Sequence, residues 1–162
     1  MKITGGGSRG RNLASLKGMG IRPTSSKVRE AIFNILGQDM AGLTVLDLFA
    51  GTGILGIESL SRGAKTAIFI DKSDRSIDMI NRNLVLCGYR DRCLVLKRDI
   101  LRETIFESLS EKSGFDIVFL DPPYRKDIIP PVLKAISSCG ILSDQALVVT
   151  ESAKNDPVPE RA

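Results

Sequence analysis

Apolar positions along this chain follow two alternating patterns. From Ser25 onward Val28, Ile32, Ile35 and Leu36 recur at helical spacing behind the turn residues Pro23, Thr24 and Ser25, which predicts a first helix. Beyond it, short apolar runs alternate with amphipathic stretches. The runs Thr44–Phe49, Thr66–Ile70, Leu94–Leu96, Ile117–Leu120 and Ala146–Thr150 read as strands. Helices are expected between them: from Gly53 to Arg62, along Ile77, Ile80, Leu84 and Cys87, around Ile105, Phe106 and Leu109, and near Ile128–Ile136. Near-continuous apolar strands joined by crossover helices describe a doubly wound α/β domain, its mainly parallel sheet covered on both faces. Ligands of such sheets bind beyond the carboxyl ends of the strands, near the point where strand order reverses. The polar residues that matter should therefore follow strands, as Asp47 with Gly51, Asp71, Asp99 and Asp121 all do.

At 162 residues and 43% hydrophobic, the chain can bury one sizeable core and predicts one globular domain. No stretch approaches the ~20 apolar residues of a membrane span, and the N-terminus has no signal-like apolar run, so a cytoplasmic protein without membrane contact, and a monomer, is expected. Cys87, Cys93 and Cys139 are odd in number and lack C-x-x-C spacing; they read as reduced core residues, with no metal site. The absence of histidine removes Ser–His and Cys–His nucleophile pairs. Chemistry must then rest on carboxylates, hydroxyls, backbone groups or a cofactor.

Charge is distributed unevenly. Residues 1–29 hold Lys2, Arg9, Arg11, Lys17, Arg22, Lys27 and Arg29 with no acid, so they carry +7 of a net +4 and leave −3 for the body. Gly5, Gly6, Gly7, Gly10, Gly18 and Gly20 fall in the same stretch, which predicts a basic arm that stays mobile until something orders it. The arm reads either as a phosphate-binding segment that folds on RNA or as a solvated tail.

Asp47-Leu48-Phe49-Ala50-Gly51-Thr52-Gly53 ends the first strand and opens a helix, where glycines let a ligand approach the backbone. Gly51, Gly53 and Gly56 spell G-x-G-x-x-G and Asp71 lies 20 residues after Gly51, so the dinucleotide fingerprint is formally met and a NAD-dependent oxidoreductase is one reading. Asp47 speaks against it, because a carboxylate beside that loop repels a pyrophosphate at a helix N-terminus and suits a cationic ligand instead. S-adenosyl-L-methionine carries an ammonium and a sulfonium and no phosphate. Asp71 is placed to accept from both ribose hydroxyls of either cofactor, and Asp99 from an adenine amine; helix capping is the competing reading for both.

Asp121-Pro122-Pro123-Tyr124 separates the cofactors. Two prolines turn the backbone rigidly and leave its carbonyls free to accept. The exocyclic amine of a nucleobase is a poor nucleophile because its lone pair is delocalised into the ring. If the Asp121 carboxylate and the Pro122 carbonyl accept its two N–H bonds, that lone pair can face a methyl donor. Catalysis is then alignment plus electrostatic stabilisation, with Asp121 able to take the proton and Tyr124 able to stack on a splayed base. A rigid turn with a packed tyrosine is the plainer alternative.

At these residues the chain resembles the bacterial 16S ribosomal RNA guanine-N2 methyltransferases of the RsmD type. The resemblance runs over nearly the whole length, through Gly5-Gly6 with Arg9-Gly10-Arg11, Arg22-Pro23-Thr24, Val28-Arg29-Glu30, Asp47 to Gly53, Ser61-Arg62-Gly63-Ala64 and Asp121 to Tyr124. It implies a class I, Rossmann-like fold, with residues 1–24 as a basic glycine-rich arm and residues 25–162 as the methyltransferase domain. It further implies that Asp47, Phe49, Gly51 and Gly53 shape the methionine side of an S-adenosyl-L-methionine pocket, Asp71 holds the ribose, and Asp99 and Ile100 border the adenine. Asp121, Pro122 and Tyr124 would hold the target guanine, with Arg9, Arg11 and Arg22 near the backbone of 16S ribosomal RNA in the small subunit or its assembly intermediate. The chain departs from the family at Asp71, where a glutamate is expected, and at Ala162, where the family continues into an antiparallel hairpin whose loss would expose a sheet edge. A DNA amino-methyltransferase acting on adenine N6 or cytosine N4, and an RNA-binding protein without activity, remain alternative readings.

Overall fold

The computed structural model describes residues 1–15, 25–102, 104–109, 114–123 and 128–151. The element order is α1 (Ser26–Leu36), β1 (Thr44–Leu48), α2 (Ile54–Ser61), β2 (Thr66–Asp71), α3 (Asp74–Cys87), a short 3₁₀ turn (Arg90–Arg92), β3 (Cys93–Lys97), α4 (Thr104–Leu109), β4 (Phe115–Leu120), α5 (Ile129–Ser138) and β5 (Leu142–Thr150). The strands form one parallel sheet in the order β3-β2-β1-β4-β5. This is the doubly wound architecture that the apolar runs predict. The chain leaves β1 for β2 on one side and returns to β4 on the other, so the switch point lies between the carboxyl ends of β1 and β4.

Strand residues alternate between two cores, as a period of two requires. Val45, Ala67, Phe69, Ile117 and Phe119 point to one face, packed by Phe33 of α1, Ile57 and Leu60 of α2, and Ile80 and Leu84 of α3. Leu46, Leu48, Ile68, Ile70, Val118 and Leu120 point to the other, packed by Ile105 and Phe106 of α4 and Val132, Leu133 and Ile136 of α5. Of the three free cysteines only Cys87 is buried; Cys93 and Cys139 are half-buried, short of the core placement expected for them. Among the described residues, no helix is long and apolar enough to cross a membrane.

Over residues 1–15 the chain corrects the expectation of a mobile arm, while residues 16–24 of that arm lie outside the described residues. Residues 1–13 fold into a hairpin closed by an antiparallel bridge between Lys2 and Asn12, and Ile3 and Leu13 join the first core. Gly5 and Gly6, two of the glycines that suggested mobility, serve close approach instead. Gly6 sits at φ +71°, and a Cβ there would lie 1.9 Å from the Ser61 carbonyl oxygen. The Gly7 amide donates to that same carbonyl at 2.7 Å, and the Ser61 hydroxyl donates to the Gly5 carbonyl at 2.7 Å. The hairpin is thus seated on the carboxyl end of α2.

A buried ion cluster ties it down. Glu58 of α2 is fully buried and accepts from the Thr4 amide at 2.7 Å, the Thr4 hydroxyl at 3.1 Å and Arg29 Nε at 3.4 Å, and pairs with Arg62. Arg29 Nη2 donates to the Lys2 carbonyl at 2.8 Å, and the Arg62 guanidinium lies 4.0 Å from the centre of the Phe33 ring. This cluster also sets the rotation of α1. The predicted apolar stripe is only partly followed, since Arg29 and Phe33 face inward while Val28 and Ile35 are 41% and 86% exposed. Arg29 is the inward residue because only there does it meet a buried carboxylate. Replacing Glu58 by alanine leaves two buried guanidinium groups short of a carboxylate, and we expect Glu58→Ala to lose about 3–5 kcal/mol of stability in urea unfolding, with amide-exchange protection of residues 1–13 falling first.

Candidate active site

The loop leaving β1 at the switch point is built from left-handed backbone. Phe49, Gly51 and Gly53 have φ of +58°, +56° and +74°. For Phe49 this conformation carries strain of about 1 kcal/mol or more, which the surrounding contacts must hold. They do so from β2: the Ala50 amide donates to the Ile70 carbonyl at 3.0 Å, and the Gly51 amide donates to Asp71 Oδ2 at 2.9 Å. Asp71 Oδ1 accepts the Ser73 amide at 2.9 Å, so the carboxylate links the loop to the entry of α3 and keeps one lone pair on each oxygen for a further donor.

Asp47, on β1, is 2% exposed, and its Oδ2 accepts the Gly56 amide at 2.9 Å. Gly56 stands in the first turn of α2, so this bond caps a helix whose N-cap residue, Gly53, has no side chain to do it. Gly56 must be glycine: a Cβ there would meet the Phe69 ring at 2.3 Å and Asp47 Oδ2 at 3.2 Å. Burial pushes the Asp47 carboxyl well above the usual carboxylate range; the charges of Asp121 and Asp71 push it further, and the Gly56 hydrogen bond opposes them. Three carboxylates therefore surround the glycine loop. A pyrophosphate at this helix start would find a first-turn amide already engaged and the field negative, whereas a cationic ligand would find it favourable.

Asp121 and Pro122 follow β4, which pairs with β1 up to Leu48 opposite Leu120. Asp121 is half-buried, Pro122 buried and Pro123 exposed. Asp99 lies after β3, half-buried, with Oδ1 accepting the Leu101 amide at 3.2 Å in a local turn, and Ile100 is buried in the second core. The structure thus gathers Asp47, Phe49, Gly51, Gly53, Asp71 and Asp121 about one switch point, and sets Asp99 and Ile100 at the end of the outer strand β3. Arg9 and Arg11 are exposed on the hairpin, and Arg11 Nη1 donates to the Leu86 carbonyl at the end of α3. Tyr124 and Arg22 lie outside the described residues.

One residue at the loop escaped sequence reasoning. Asn83 of α3 is fully buried, and its amide nitrogen donates to the Thr52 carbonyl of the glycine loop at 3.0 Å. Its signal was a polar residue on the apolar stripe of Ile80, Leu84 and Cys87, all of which are buried beside it.

Comparison with known proteins agrees with this geometry. A family model described as "Conserved hypothetical protein 95" matches residues 1–162. A curated relative, the putative rRNA methyltransferase YlbH of Bacillus subtilis, is 35% identical over 99% of this chain and 86% of its own length. The ribosomal RNA small subunit methyltransferase D of Escherichia coli is 32% identical over 98% of this chain and 78% of its own. Among solved structures, the putative methyltransferase yhhF of Escherichia coli superposes with a TM-score of 0.83 at 32% identity, covering 99% of this chain and 85% of that one. SMU.776, a putative methyltransferase complexed with SAH, shares the fold at a TM-score of 0.69 and 21% identity, over 91% of this chain and 39% of that one. Matched over its full length by the family model, and over 99% and 98% of it by these two relatives, the chain belongs to the family of the small-subunit ribosomal RNA methyltransferases D.

Proposed function

We propose that this chain transfers a methyl group from S-adenosyl-L-methionine to the exocyclic N2 of a guanine in 16S ribosomal RNA, presented on the small ribosomal subunit or an assembly intermediate. The observation that carries the reading is the buried Asp47 carboxylate, flanked by the charges of Asp71 and Asp121 and already capping α2. That arrangement fits a ligand that is cationic and free of phosphate. Family membership supports ribosomal RNA over DNA as the substrate, since the Asp121-Pro122-Pro123-Tyr124 segment serves amine methylation on either.

When bound, the cofactor would supply an electrophilic methyl carbon on a cationic sulfur. Phe49, Gly51 and Gly53 leave room beside the loop for its methionine part, Asp71 has lone pairs left for ribose hydroxyls, and Asp99 and Ile100 border the adenine. The Asp121 carboxylate and the Pro122 carbonyl accept the two N–H bonds of the guanine amine, which turns the nitrogen lone pair toward the methyl carbon. As the nitrogen takes the methyl group, positive charge would grow on it beside Asp121, whose carboxylate would stabilise that charge and take the released proton. Tyr124 stacks on the base, while Arg9, Arg11 and Arg22 hold phosphates.

Asp47→Asn tests the cofactor side. A raised carboxyl pKa means the folded state holds the proton more tightly than the unfolded chain: the stabilising contribution is complete below the usual 3.8 and is lost as pH rises through the higher folded value. Asparagine keeps an acceptor for the Gly56 amide without the charge. The ligand-free variant should therefore be more stable than wild type at pH 7 in urea unfolding, while S-adenosylhomocysteine binds at least about tenfold more weakly by calorimetry.

Asp121→Ala should slow methyl transfer to unmethylated small subunits by at least about 100-fold with subunit affinity nearly intact; unchanged turnover would sink the mechanism, and nucleoside digestion of the wild-type product should yield N2-methylguanosine. Neutralising Arg9 and Arg11 together should flatten the slope of log affinity against log salt by about 1.4, if each releases about 0.7 counterion from single-stranded RNA.

A further inference from the structure

Asn83 reaches in two directions. Besides donating to the Thr52 carbonyl at 3.0 Å, it accepts the Ala14 amide on Oδ1 at 2.9 Å and donates to the Ala14 carbonyl at 3.2 Å. Both N–H bonds and one lone pair of the side chain are thereby used, and Ala14 is held as a neighbouring strand would hold it. Ala14 follows Leu13, where the hairpin ends, and Thr52 is the centre of the glycine loop between the left-handed Gly51 and Gly53. A second contact repeats the connection, with the Thr52 hydroxyl 4.0 Å from the Met1 sulfur. The fully buried side chain that holds the glycine loop is thus the one that anchors the basic hairpin.

From this shared amide we infer that Asn83 is a positioning residue that couples the two halves of the reaction: RNA held on the hairpin tightens cofactor binding at the glycine loop, and cofactor tightens RNA binding. The inference rests on the function proposed above. The physical route is ordering. The loop contains strained backbone at Phe49 and is held by the Asn83–Thr52 bond, and a hairpin held down at Ala14 restrains the same amide further. A ligand that holds the hairpin down relieves the second ligand of part of the ordering it would otherwise supply, and linkage makes the effect mutual.

The experiment measures the dissociation constant of S-adenosylhomocysteine for the full chain, alone and with saturating unmethylated small subunits, in wild type and two variants. Asn83→Asp still accepts from the Ala14 amide but offers no proton to the Thr52 and Ala14 carbonyls. Ala14→Pro deletes the hairpin's N–H and leaves the Asn83–Thr52 bond; the preceding Leu13 bonds across the hairpin to Met1 in an extended segment, the conformation a following proline favours. In wild type, subunits should tighten S-adenosylhomocysteine at least about fivefold, the low end of ordinary coupling. Ala14→Pro should keep the wild-type affinity measured without subunits and lose the gain to within about twofold, a split that general destabilisation does not produce. Asn83→Asp should lose both.

Equal affinities with and without subunits in wild type, or a full gain retained in Ala14→Pro, would overturn the coupling while leaving the methyltransferase reading intact. No binding of S-adenosylhomocysteine to wild type under either condition would overturn the cofactor reading itself and the coupling with it. Should Asn83→Asp fail to fold, the wild-type and Ala14→Pro measurements still decide.

Discussion

The hydrogen bond from the Gly56 amide to the Asp47 carboxylate is where fold and site become one problem. It caps α2 from the neighbouring strand, and so lets the residue before the helix be Gly53 in left-handed backbone rather than a serine or aspartate. It also demands that α2 lie close enough to the sheet for the Phe69 ring to fill the space where a Gly56 side chain would be. Relax that approach and the carboxylate is left buried without a donor; keep it, and the loop above is open for a ligand. Ionising that carboxyl in the interior is unfavourable because of its burial, and the charges of Asp121 and Asp71 make it more so. The site is therefore tensioned toward a positive partner, at the expense of stability in its absence.

Legibility in the sequence tracked how local the governing physics is. The strands and helices were readable because their apolar periods report burial within a few residues; several edges differed by one residue, as at Leu48 and Asp71, whereas β4 begins at Phe115 rather than Ile117 and β5 at Leu142 rather than Ala146. The glycine loop and Asp47 were readable because a carboxylate, a run of glycines and a strand end coincide within seven positions. The hairpin was not, since its fate hangs on Glu58 and Ser61, more than 50 residues away in the chain. Glycines alone cannot say whether they permit motion or close contact. The orientation of α1 failed for the same reason, because Arg29 turns inward toward a carboxylate that the local pattern does not contain.

Polar groups inside this molecule do the joining. Glu58 connects α1, α2 and the hairpin, while Asn83 connects α3, the hairpin and the loop. Such groups are tolerated because each is satisfied; they confer specificity on the arrangement that two apolar cores alone would leave loose. A hairpin held only by Ile3 and Leu13 could slide; one held by a buried carboxylate and a buried amide has a single register.

The left-handed turn at Phe49 has a kinetic meaning as well. Ile70, Asp71 and Asn83 all hold the loop from behind, away from the side a ligand would meet. When contacts behind a loop hold it closed on a ligand, tighter binding shows chiefly as longer residence. The contacts behind the loop are in that sense a timer for whatever the loop holds.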